Sequence, residues 1–151
     1  MMRVCIYGAG ALGGNIAARL ANAGNEVTMI ARGANAEAIA ARGLTLITPA
    51  QTLSARPRVC TDTRSAGIHD LVFVSVKAHS LPEIAPHLPA LCGPATPVVY
   101  IVNGIPWWYP YCAPSAGRPL PDLSFLDPGG QLARAPGLAS AIGSVVYAGS
   151  A

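Results

Sequence analysis

Gly8, Gly10 and Gly13 stand in the stretch YGAGALGG at G-x-G-x-x-G spacing. Glycines so placed leave backbone amides uncovered, and uncovered amides at the start of a helix bind anions, phosphates above all. Three further residues bring a charge or a carboxamide directly after an apolar run: Arg32 after EVTMIA, Lys77 after LVFVSV and Asn103 after PVVYIV. A guanidinium grips a phosphate through charge-assisted hydrogen bonds, an ammonium stabilises an anion, and a carboxamide donates and accepts at once. The chemistry on offer is the holding of a phosphorylated ligand beside a second polar end.

The elements around the glycines are those the motif needs. Residues 4–7 form a short run rich in β-formers; Leu12, Ile16 and Leu20 follow at helical spacing, Gly24 lies where a helix would stop, and residues 26–31 read as a second strand. Strand, glycine turn, helix and strand within about thirty residues is the context of the dinucleotide fingerprint. Gly8 permits the tight turn, Gly10 lets the backbone approach a pyrophosphate, and Gly13 lets the helix pack closely on the strand. An NAD site places Asp or Glu at the end of the second strand. Here Glu26 comes too early, the strand tip reads Ile30, Ala31, Arg32, and the next carboxylate is Glu37. Arg32 is suited to a 2′-phosphate, so the sequence predicts NADP.

Further along, residues 34–42 read as a helix ended by Gly43, residues 44–47 as a strand, and residues 51–60 as extended chain of unassigned pairing. Residues 71–76 read as a strand buried on both faces. Residues 80–91 suggest a helix made irregular by Pro82, Pro86 and Pro89, and residues 97–102 another buried strand. The alternation predicts an α/β fold: one Rossmann-type, doubly wound, mostly parallel sheet spanning residues 1–151. Ligands of such sheets bind outside the carboxyl ends of the strands, which gathers Gly10, Arg32, Lys77 and Asn103 on one rim. An Asn103-Gly104 hairpin would need an alternating strand after it, and IPWWYPYCAP is not one. That aromatic stretch is expected at the lip of the site, beside a nicotinamide ring or a second domain.

Composition narrows the classes. The chain is 52% hydrophobic and only 11% charged, against about 25% charged for a complete soluble domain, so either the protein is very buried or some of its apolar surface expects a partner. The net charge of +3 comes from scattered residues, which excludes a nucleic-acid footprint. The charge-free stretch from Leu88 to Gly117 contains Pro89, Pro94, Pro97, Pro106, Pro110 and Pro114, too many missing backbone donors for a membrane span. Cys5, Cys60, Cys92 and Cys112 have no metal-site spacing, and His69, His79 and His87 form no constellation. A reduced, cytoplasmic protein without a metal is the expectation.

GAGALGG (residues 8–14), VKAHSL (residues 76–81) and VNGIPWWYP (residues 102–110) together resemble the cofactor domain of the 2-dehydropantoate 2-reductases, or ketopantoate reductases. DPGGQL (residues 127–132) and AIGSVVY (residues 141–147, read as a strand) are similar to one bacterial branch of that family. The resemblance covers nearly the whole chain. It implies an NADPH-dependent reduction of 2-dehydropantoate to pantoate, with the turn Gly8, Ala9, Gly10, Ala11, Leu12 and Gly13 on the pyrophosphate and Arg32 on the 2′-phosphate. Lys77 and Asn103 would take supporting catalytic roles at the nicotinamide end. It also implies that the proton-donating lysine belongs to a following helical domain, since Lys77 is the only lysine here. On that reading the chain is the cofactor half, inactive alone, its missing domain a partner in cis, with a homodimer open to the complete protein. Two other readings are a stand-alone NADP-binding sensor or interaction module, and a related reductase of another 2-oxo or 3-hydroxy acid.

Overall fold

The computed structural model describes residues 1–112 and 122–147. Pro114 and Gly117, at the end of the charge-free stretch, lie outside the described residues. Strands β1 (Arg3–Tyr7), β2 (Glu26–Ile30), β3 (Leu44–Ile47), β4 (Thr52–Ala55), β5 (Arg58–Cys60), β6 (Leu71–Val74), β7 (Val98–Ile101) and β8 (Ala141–Ser144) alternate with helices α1 (Ala11–Asn22), α2 (Gly33–Arg42), α3 (Thr63–Ala66), α4 (Leu81–Ile84) and α5 (Tyr109–Cys112). Six strands form one sheet in the order β5-β2-β1-β6-β7-β8, and every pairing in it is parallel. The chain leaves β1 towards β2 and β5, then returns past β1 to β6, β7 and β8. The order therefore reverses between β1 and β6, and that reversal opens the crevice where ligands of open α/β sheets bind.

Side-chain alternation along the central strands explains why both faces are covered. Val4, Ile6, Val27 and Met29 enter one core with Ala17 of α1 and Ile39 of α2. Cys5, Tyr7, Ile30, Val72, Val74, Val98 and Tyr100 enter the other, with Leu81, Ile84, Leu88 and Leu91. Period-two alternation with apolar residues on both faces is what a doubly wound sheet requires. Gly24, at φ +83°, ends α1, and the Asn25 amide donates back to the Leu20 carbonyl at 3.1 Å, a C-terminal closure that only a left-handed residue allows.

Several elements differ from the sequence reading. Residues 51–60 divide at Pro57 into β4, which pairs antiparallel with β3, and β5, which joins the main sheet beside β2. The helix expected over residues 80–91 is a 3-10 turn at Ala78–Ser80, one α turn at Leu81–Ile84 and 3-10 chain over Ala85–Leu91, because its prolines cannot donate to a continuous ladder. The final strand stops at Ser144, short of the expected Tyr147. Helix α3, capped by the Asp62 carboxylate accepting from the Arg64 amide at 2.9 Å, had no periodic signal over its four residues.

Cys5 and Cys60 are buried, Cys92 half-buried and Cys112 exposed, all with free thiols. Burial pushes the Cys5 thiol up to about 12 and Cys92 to about 11, so these two behave as small hydrophobes rather than nucleophiles. His69 is buried, and that burial, with Arg3 nearby, holds its imidazole below the ordinary value. Among the described residues no group of three metal-binding side chains occurs, and no helix is long and apolar enough to cross a membrane.

Candidate functional site

Beyond Tyr7 the chain turns at Gly8, whose φ of +112° an L side chain rarely adopts. The Gly8 amide donates to the Ile30 carbonyl at 3.1 Å, locking the turn to β2. Gly10 is the N-cap of α1 in extended conformation, with no side-chain cap and no acidic residue in the first helical turn. The Gly14 amide closes the first helical bond, onto the Gly10 carbonyl at 2.8 Å. The amides of Ala11, Leu12 and Gly13 therefore have no carbonyl four residues back inside the helix, and they form the electropositive end of α1. A Cβ on Gly10 would meet nothing within 4 Å, while one on Gly13 would run into the Gly8 carbonyl oxygen and lie 2.6 Å from Ser75 Oγ. One glycine thus keeps the cradle open from outside and the other lets the helix sit on the strand. A pyrophosphate fits this arrangement.

Two side chains that sequence reasoning missed hold the turn in place. The Ser75 hydroxyl donates to the Gly8 carbonyl at 3.0 Å, and the Ser75 amide donates to the Tyr7 carbonyl at 2.9 Å. Asn35, in α2, donates to the Ala9 carbonyl at 3.2 Å. The one signal for Ser75 was a hydroxyl near the end of an otherwise apolar strand.

The strand register places the remaining candidates on one rim. Ile30 pairs with Tyr7, Tyr7 with Val74 and Val74 with Tyr100, and Arg32, Gly10, Lys77 and Asn103 each follow that row within three residues. A cleft of about 200 Å³ is lined by Gly8, Ala9, Gly10, Ile30, Ala31 and Arg32, together with Tyr7, Asn35, Thr61 and Val76, and no carboxylate lines it. A second cleft of about 560 Å³ shares Tyr7, Arg32 and Thr61 with the first and continues to Asp62, Arg64 and His87. Arg32 is the N-cap residue of α2 and is exposed, with Nη1 donating to Glu83 Oε1 at 2.7 Å. That hydrogen bond holds the Glu83 carboxyl below its usual range and raises the Arg32 guanidinium. Leu12 is half-buried on α1 and Gly13 buried beneath the turn, so these two contribute backbone and packing rather than cleft surface.

Lys77 is exposed just beyond β6. Asn103 also lies at the rim, but its carboxamide is spent on the segment after β8: Oδ1 accepts from the Val146 amide at 3.1 Å and Nδ2 donates to the Val146 carbonyl at 3.4 Å. An apolar cavity of about 380 Å³ lies next to both, lined by Ala78, His79, Leu81, Val102, Ile105 and Phe125 among others. The two tryptophans are packed more deeply than a lip requires. Trp107 is 1% exposed and packs edge-on against Tyr100 with ring centroids 5.5 Å apart. Trp108 covers the backbone of Gly143 in β8, where a Cβ would lie 2.6 Å from its ring. The aromatic stretch anchors the sheet, and within it the buried Trp107 and the exposed Ile105 both line the cavity.

An all-parallel sheet with its order reversed beside a glycine turn defines a Rossmann-type α/β domain carrying an anion cradle of the dinucleotide kind. The family model for ketopantoate reductase PanE/ApbA matches residues 4–106, and the chain belongs to that family. It is 42% identical over 149 residues to a 2-dehydropantoate 2-reductase of Mesorhizobium japonicum, across 97% of this chain and 45% of that protein. A Ralstonia solanacearum structure assigned to ketopantoate reductases superposes with a TM-score of 0.85 at 38% identity, over 97% of this chain and 45% of that one. A D-mandelate dehydrogenase in ternary complex with NADH and anilino(oxo)acetate superposes over 69% of this chain and 34% of its own, with a TM-score of 0.62 at 28% identity. The chain spans about half the length of the Mesorhizobium relative.

Proposed function

We propose that these residues are the NADPH-binding portion of a 2-dehydropantoate 2-reductase, a cytoplasmic enzyme of pantothenate and coenzyme A biosynthesis. The observation that carries the proposal is the cleft shared by the glycine turn and Arg32, whose lining at the end of β2 holds a cation and no carboxylate, the Glu83 partner of that cation lying outside the lining. The bound cofactor would supply a hydride to the carbonyl carbon of a 2-oxo acid. The chain's own residues bind and orient: the amides of the first turn of α1 meet the pyrophosphate, with Gly8, Ala9, Gly10, Ala11, Leu12 and Gly13 forming the cradle. Arg32 meets the 2′-phosphate. Lys77 provides positive charge for an anionic substrate at the nicotinamide end, and Asn103 supports that rim by holding the Val146 backbone. A related reductase of a bulkier 2-oxo acid is the second reading, favoured by the likeness to the mandelate dehydrogenase.

Carbonyl reduction also requires a positioned proton donor. Lys77, the only lysine in these residues, is assigned to anion binding and not to that step. The 151-residue chain is therefore expected to bind NADPH, seen as a saturable change in nicotinamide fluorescence, without oxidising it when 2-dehydropantoate is added. Steady loss of nicotinamide absorbance above the protein-free rate would contradict the assignment of proton donation to a separate domain.

A further inference from the structure

Arg32 meets a phosphate only in competition with a carboxylate. Its guanidinium is held by Glu83 of α4, a residue 51 positions further along the chain. The pair spans the carboxyl end of β1, close enough to Tyr7 for both charges to act on its hydroxyl. Arg32 itself lines both the smaller cleft beside the glycine turn and the larger one beyond it. Glu83 lines neither cleft, but its carboxylate engages the Nη1 donor of the guanidinium that a ligand in either cleft would reach. The contact is a single bond through Nη1, and the two side chains are 68% and 59% exposed. Exposed pairs of this kind are weak, so a phosphate dianion can displace the carboxylate, though against competition.

On the reading that Arg32 meets the 2′-phosphate, we propose that Glu83 is a specificity-determining residue, a carboxylate that occupies the guanidinium until a 2′-phosphorylated dinucleotide displaces it. A dinucleotide with a free 2′-hydroxyl has no group to compete and leaves the pair intact. Glu83 thereby lowers affinity for the phosphorylated cofactor alone and sets how sharply the two cofactors are told apart, which neither the glycine turn nor Arg32 by itself determines. Removing the charge while keeping the shape isolates this effect, because a glutamine side chain fills the same volume but competes poorly for a cation.

The test is a double-mutant cycle read by equilibrium titration with NADPH and with NADH on the parent chain, Glu83→Gln, Arg32→Ala and the double variant. Glu83→Gln is expected to tighten NADPH about two- to fivefold, the scale of an exposed ion pair, and to leave NADH unchanged. In the Arg32→Ala background the same change is expected to have no effect on either cofactor. An equal gain for NADPH in both backgrounds would make Glu83 a remote like charge and overturn the proposal, as would an unchanged NADPH affinity in the single variant. Weaker NADH binding by Glu83→Gln would overturn it too, by making Glu83 a ribose acceptor. Should Arg32→Ala itself keep any preference for NADPH, the reading of Arg32 falls and the proposal with it. Should Arg32→Ala abolish that preference while Glu83→Gln is silent, only the proposal falls.

Discussion

Gly13→Ala is expected to destabilise the chain by about 3 kcal/mol, at the upper end of what overpacking a tight core costs. The added methyl would meet two atoms that cannot retreat. The Gly8 carbonyl is fixed by the Ser75 hydroxyl at 3.0 Å and by the left-handed backbone of Gly8 itself. The Ser75 backbone is fixed in turn by the hydrogen bond its amide donates to the Tyr7 carbonyl at 2.9 Å. Relief requires α1 to lift from β1, which would also open the core around Ala17 and Ile6. Gly10→Ala is the control, because a Cβ there meets nothing within 4 Å and the φ of −77° is ordinary for alanine. Its stability should stay within about 1 kcal/mol of the parent, while dinucleotide binding weakens because the methyl occupies the anion's side of the turn. Urea unfolding midpoints of the two variants decide the matter: a Gly13→Ala protein as stable as Gly10→Ala would remove the close-packing role assigned to the third glycine.

Trp107→Ala is expected to cost about 3–5 kcal/mol, the usual range for emptying a buried aromatic site. Trp107 is among the largest fully buried side chains, and Tyr100, Trp108 and Tyr111 all pack edge-on with it. Trp107→Phe separates ring packing from size. Among the described residues the Trp107 indole N–H is buried without a hydrogen-bond partner, and a buried donor left unpaired is itself unfavourable by about 1–3 kcal/mol. Phenylalanine keeps most of the contact and removes that donor, so its loss should be less than half that of alanine. Denaturant titration followed by Trp108 fluorescence checks both variants. Equal losses for Phe and Ala would mean that the indole nitrogen, rather than the packed ring, sustains this part of the structure.

These two residues also mark how far the sequence could be read. The glycine turn was legible because its physics is local: each glycine answers a constraint set within a few residues. Arg32 was legible as a cation at a strand end, but Glu83 was not, since an ion pair across 51 positions depends on how α4 folds back over the sheet. Ser75 was hidden inside an apolar run, although its hydroxyl secures the turn. Trp107 and Trp108 read as a lip because prolines and an Asn-Gly pair surround them. They are anchors as well, because β8 returns parallel to β7 and their rings pack against Tyr100 and over Gly143, while Trp107 still lines the apolar cavity. Asn103 was rightly placed at a strand end, but its bonds to Val146 join it to the segment that follows the edge strand β8, whose position no local pattern encodes.

The most direct test of the central claim, that the cleft beside the glycine turn takes a 2′-phosphorylated dinucleotide through Arg32, is titration of the purified, folded chain with NADPH and with NADH, alongside Arg32→Ala. A charge-assisted contact to the phosphate predicts about a 10- to 100-fold preference for NADPH, lost in the variant, with NADH affinity little changed. Equal affinity of the parent chain for the two cofactors would contradict the role given to Arg32. Binding of neither by folded protein would contradict the dinucleotide site itself.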